Sequence, residues 1–104
     1  MIVHIYYYPI IKQTEDEAFC NFLGTIEMDN FDKDECFNIC NWSCFSDNKP
    51  ENLHSDIVAI SSGVCFENTE TGTCHFAKSI GWVDGSKDCI ENYVKSCAKK
   101  GIYI

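Results

Sequence analysis

The hydrophobic and polar positions of this chain change period several times, and each change marks an element. Residues 2–8, Ile-Val-His-Ile-Tyr-Tyr-Tyr, are β-branched and aromatic and stop at Pro9. That composition predicts a strand, and the proline, which cannot donate to a ladder, places it at a sheet edge. Residues 12–17 are polar and read as a linker. Residues 18–28 are apolar and rich in aromatics, with Gly24 inside them. They predict a strand with a bulge, a short helix being the alternative. From residue 29 a helix start follows. Asp32 can cap it, and Asp34 and Glu35 fall in its first turn, where they suit the positive end of the dipole. A spacing of four then puts Cys36 and Cys40 on one helical face, better placed to anchor the helix to other elements than to pair with each other. Cys44 lies past the expected helix end.

Residues 46–56 carry turn formers throughout and read as a loop. Residues 57–66 and 73–79 are two apolar runs around a polar turn, a hairpin pattern. Asp84-Gly85 is a turn signal within residues 81–88. Residues 89–100 repeat apolar positions at helical spacing (Ile90, Val94, Ala98 and Cys89, Tyr93, Cys97), and Lys99, Lys100 and Gly101 form a stop signal. Residues 102–104, Ile-Tyr-Ile, are expected to pair back onto residues 2–8. The sum is an α+β class: a small disulfide-rich single domain, with an antiparallel sheet, one central helix and a short C-terminal helix. Residues 1–17 form the edge strand and linker, 18–89 the core, and 90–104 the helix and tail. No internal repeat is visible.

Composition sharpens this picture at the cysteines. A chain of 104 residues with 45% hydrophobic content folds as one domain, and a domain of that size buries only a modest share of its surface. Its eight cysteines, Cys20, Cys36, Cys40, Cys44, Cys65, Cys74, Cys89 and Cys97, are an even set of the kind that forms a disulfide framework. Structural zinc favours C-x2-C pairs, and none occurs; the same absence argues against a redox dithiol. The expectation is therefore a secreted or extracellular protein with all eight cysteines paired. Residues 1–12 have no basic lead and no small-residue cleavage site, so the secreted form is expected to be the mature one. No run is long enough to span a membrane, and no membrane insertion is expected.

Charge narrows the partners. Sixteen acidic and eight basic side chains leave a net charge of −8. Nucleic acid and anionic membrane both need a cationic footprint, so neither is expected, whereas a basic partner is compatible.

Catalytic chemistry finds no motif. His4, His54 and His75 are scattered, and Ser61-Ser62-Gly63 is not a G-x-S-x-G elbow. The acidic run from Glu27 to Glu35 fails the calcium-loop pattern: counted from Asp29, the sixth and twelfth positions are Asp34 and Cys40. No enzyme activity, cofactor or metal is expected. Asn41-Trp42-Ser43 is a glycosylation sequon. The remaining candidates are binding residues. Tyr6, Tyr7 and Tyr8 are consecutive, so both faces of the first strand display tyrosine, a favoured interface residue. The strand precedes the first cysteine, so a disulfide core is expected to fold without residues 1–9. Trp82 and Lys49, the latter in loop 46–56, complete the candidate set.

The stretches Phe22–Cys40, Cys74–Lys78 (Cys-His-Phe-Ala-Lys) and Gly81–Cys89 resemble the PAN/apple modules of extracellular proteins. The resemblance covers residues 18–89. It implies pairs Cys20–Cys89, Cys36–Cys74 and Cys40–Cys44, leaving Cys65 with Cys97, and it implies binding of proteins or sugars at cell surfaces. The functional expectation is a secreted, non-enzymatic binding protein that engages an extracellular protein or surface glycan, as a parasite, salivary or pathogen effector does. The alternatives are a disulfide-rich protease inhibitor or toxin acting through loop 46–56, and a small-ligand carrier, which would have to be mostly helical.

Overall fold

Strand β1 (Ile2–Tyr7) runs through the middle of the sheet, flanked on one side by β2 (Asn21–Glu27) and on the other by β4 (Val64–Asn68). The computed structural model describes residues 1–101. Among these, six strands form one antiparallel sheet in the order β3-β2-β1-β4-β5-β6, where β3 is Leu53–His54, β5 Cys74–Ala77 and β6 Trp82–Gly85. The α+β class holds. The edge position expected for β1 does not. Pro9 lies beyond the end of the strand and caps a 3-10 turn at Ile10–Lys12, so its missing N–H ends β1 without exposing a flank. With Val3 and Ile5 fully buried, residues 1–9 cannot be dispensable for folding. The pairing proposed for residues 102–104 lies outside the described residues.

Alternation along the strands builds two separate cores. On one face, Val3, Ile5, Ile26, Val64 and Phe66 pack with Cys36, Cys40 and Leu53. Helix α1 (Lys33–Cys40) contributes the two cysteines to this face, and its Phe37 meets Trp82 edge-on at 6.2 Å. Asp32 caps α1 as its sequence signal requires, its carboxylate accepting from the N–H groups of Asp34 and Glu35. On the other face, Tyr8, Cys65, Cys74 and Phe76 pack with Ile90, Val94 and Cys97 of helix α2 (Lys87–Lys100). That helix starts two residues before its expected first turn, because Ser86 accepts from the Cys89 N–H and so acts as the cap; Gly101 closes it at φ 67°.

The bulge expected near Gly24 is present. Ile5 pairs with Gly24 but Tyr6 pairs with Phe22, so Leu23 is the extra residue. Gly24 has φ 135°, and a Cβ there would lie 2.3 Å from the His54 carbonyl oxygen. The absent side chain is what lets β3 pair with β2, a strand lying inside what reads as loop 46–56. The hairpin expected at 57–79 is real but shorter, since residues 57–63 are not strand.

The disulfide framework is corrected. All eight cysteines are free thiols, and Cys36, Cys40, Cys65, Cys74 and Cys97 are buried. The implied Cys36–Cys74 pair would have to cross the sheet, because the two residues belong to cores on opposite faces. Cys36 and Cys40 do anchor α1, but as small apolar side chains. Burial pushes both thiols up to about 12.

Candidate functional site: the open half of the sheet

Helix α2 packs on β5 and β6 and leaves the same face of β1 and β2 uncovered. Strand pairing sets out the side chains there in two rows. Phe22 of β2, Tyr6 of β1 and Cys65 of β4 are opposite one another in one row, and Thr25, His4 and Glu67 in the next. Of these six residues only Cys65, at the end of its row nearest α2, is buried. Phe22 is 58% exposed.

The three ring-bearing residues of these rows form one group, Phe22 exposed and His4 and Tyr6 half-buried. His4, Tyr6 and Phe22 meet edge to face, with centroids 6.2 Å (His4–Tyr6), 5.5 Å (His4–Phe22) and 5.6 Å (Tyr6–Phe22) apart. Glu67 ties the group from β4: its Oε1 lies 3.0 Å from His4 Nδ1, and the Tyr6 hydroxyl donates to it at 3.4 Å. Partial burial, then the adjacent Glu67 charge, raises the Tyr6 phenol above its ordinary value. Lys87, at the start of α2, places its Nζ 4.4 Å from the centre of the Tyr6 ring. Further along the face His54 Nε2 lies 3.3 Å from Glu27 Oε1. The arrangement offers apolar ring surface edged by carboxylates.

The five binding candidates read from the sequence do not come together. Tyr6 is part of this group. Tyr7 points to the other face, where it borders a 410 Å³ apolar depression with Leu23, Ile57, Val58 and Ile60. Tyr8 is 1% exposed and packs edge-on against Phe76 at 5.7 Å; burial, more than any neighbouring charge, raises its phenol. Trp82 lies between Phe37 and Phe66 with Lys33 Nζ 5.4 Å from its ring, at the rim of the opposite core. Lys49 is exposed in a turn that the Leu53 N–H to Pro50 carbonyl bond and the Asn52 side chain, donating to the Glu27 carbonyl, hold against β2. Within loop 46–56, Leu53–His54 are strand, and with six strands the described residues are not mostly helical.

Four members of the group were not found by sequence reasoning: His4, Phe22, Glu67 and Lys87. The i, i+2 spacing of His4 and Tyr6 was the available signal for a shared face. Phe22, Glu67 and Lys87 arrive from other elements through pairing and packing.

A second polar cluster is structural. His75 Nδ1 lies 2.6 Å from Asp84 Oδ1, Lys33 Nζ lies 3.2 Å from Asp84 Oδ2, and Phe31 stacks on His75 at 4.6 Å. Burial works against ionisation of Asp84, but the His75 and Lys33 hydrogen bonds and charges outweigh it and hold the carboxyl below its ordinary range. The cluster ties β5, β6 and the start of α1 together. Among the described residues no three histidine, cysteine or acidic side chains are grouped to hold a metal ion, and no helix is long and apolar enough to cross a membrane. No family model, no curated protein and no solved structure matches this chain.

Proposed function

We propose that this is a non-enzymatic binding protein that engages a protein partner through the open half of its sheet, with Phe22 and Tyr6 at the centre and His4 and Glu67 beside them. The observation that supports this most is the exposure of Phe22 (58%) within a ring cluster built on the central strands. An exposed phenylalanine costs solubility, yet this one is paired opposite Tyr6 and held edge to face by His4 and Tyr6, so its ring is positioned before any partner arrives. The partner is a segment carrying lysine or arginine. Glu67 and Glu27 edge the face, and the chain as a whole carries −8, which favours approach of positive charge.

The test is a comparison of variants in plasma and cell-surface extracts, read by quantitative mass spectrometry. Wild type and Lys49→Ala should enrich the same basic protein, and Phe22→Ala should lose it. A truncated exposed aromatic at the centre of an interface costs roughly 1–4 kcal/mol of binding. Retention by Phe22→Ala at wild-type level, or enrichment of a glycan-bearing ligand released by free sugar, overturns the protein-partner reading. The extracellular setting belongs to the same proposal. Immunodetection of the chain in its natural source tests it: recovery from the extracellular fraction is expected, and confinement to the cell lysate overturns that setting.

A further inference from the structure

The face that carries the aromatic group continues under α2 as a pair of sulfurs. Cys65 of β4 is opposite Phe76, and Cys74 of β5 is opposite Glu67, so the two cysteines are diagonal neighbours on one face of adjacent strands. They share one buried core with Ile90, Val94 and Cys97 of α2, and both are at most 1% exposed. The same diagonal brings Tyr6 to Glu67 one strand away, at 3.4 Å. Cys20, half-buried before β2, packs against the same core.

We propose that Cys65 and Cys74 are an oxidation site, joined by a peroxide-class oxidant into a cross-strand disulfide beneath α2. The Cys74 sulfur attacks one peroxide oxygen, the O–O bond breaks, and a sulfenic acid and one water result, the thiol proton going to the leaving oxygen. The Cys65 thiol then attacks the Cys74 sulfur; the S–S bond forms, the S–O bond breaks, and a second water leaves with the Cys65 proton. Two thiols are oxidised and one peroxide is reduced to two waters. The roles follow from the place in the fold: Cys74 opens β5 beside the hairpin turn, whereas Cys65 lies within β4, one strand further in; the interaction with Cys65, aided by Lys87 and opposed by burial, also lowers the Cys74 thiol from its ordinary value. Diagonal Cα atoms in a flat ladder are about 7–8 Å apart, so closure draws β4 and β5 slightly together. Cys74 is the first residue of β5, beside the hairpin turn, where that shift is least opposed.

The experiment uses the full chain, purified reduced and kept folded. Hydrogen peroxide is raised until the exposed thiols Cys44 and Cys89 have reacted; the remaining thiols are then alkylated in denaturant. Trypsin with a glutamate-specific protease isolates residues 52–67 and 71–78, each holding one of the two cysteines. The expected result is that these two peptides are linked, in wild type and equally in Cys20→Ser. In Cys65→Ala a sulfenic acid at Cys74 should be trapped by a dimedone-type reagent. Cys65 and Cys74 still alkylatable once Cys44 and Cys89 have reacted, or either one linked to a different cysteine, overturns the proposal.

Discussion

The two halves of one sheet face differ in a single respect, the presence of α2, and that difference separates folding from recognition. Under the helix, Phe76 meets Tyr8 at 5.7 Å and Tyr93 at 5.9 Å and is fully buried. Three strands away Phe22, in the same row, is 58% exposed. Both are phenylalanines on paired strands with aromatic neighbours. Only the covered one has its ring removed from water on every side, and so only that one contributes the full burial term to stability. The uncovered one retains most of its apolar surface for a partner. The same backbone ladder supports both, so a binding surface is obtained without a mobile loop.

Truncation tests this contrast with the largest effect. Phe76→Ala should cost about 3–5 kcal/mol of unfolding free energy in urea. Phe22→Ala should cost less than about 1 kcal/mol, because most of its ring is already in water. Equal losses would make the open half part of the core and remove it as a candidate site.

A backbone change should come next. Gly24→Ala demands a left-handed-side φ of 135° from a residue with a Cβ and drives that Cβ into the His54 carbonyl. Destabilisation of roughly 1–3 kcal/mol is expected, with accelerated amide exchange in β3 as the local signature. An unchanged β3 would show that the bulge tolerates a side chain.

Buried thiols sharpen the comparison from the α1 side. Cys36 and Cys40 ionise near 9.0 when unfolded and near 12 when folded, chiefly through burial. A raised folded value means that their contribution is complete below pH 9 and is lost as pH rises towards 12. Unfolding free energy should therefore fall across that window, and the fall should flatten in a Cys36→Ala/Cys40→Ala protein. An identical slope in the variant would assign the alkaline loss to other groups.

The smallest effect concerns Asp84. Its folded value is lowered by His75 and Lys33, so its contribution is intact above the ordinary carboxylate range and is lost as pH falls through the lowered folded value. The carboxylate is about half exposed, which screens the pair and keeps the contribution small. Asp84→Asn should remove part of the acid limb of the stability curve while leaving the neutral value nearly unchanged. A large loss at neutral pH would show that the His75–Asp84–Lys33 cluster matters more than a surface tie.

What the sequence determined by itself was local. Asp32 as a cap, Cys36 and Cys40 on one helical face, the bulge at Gly24, the α2 stripe of Ile90 and Val94 and the stop at Gly101 all depend on interactions within about one turn or one strand. Short-range physics suffices to place them. What only the tertiary structure decided was every matter of strand neighbours. Pro9 reads as an edge marker, yet β1 is central, because the flank of a strand is set by which distant segments pair with it and not by the residue that ends it. The cysteines read as staples, yet Cys36 and Cys74 fall on opposite sides of the sheet, because spacing along the chain carries no information about which face a side chain joins. Of the aromatic group, Tyr6 and the parity of His4 were legible. Phe22, Glu67 and Lys87 were not, because residues far apart in sequence become neighbours only when the ladders and α2 bring them onto one face.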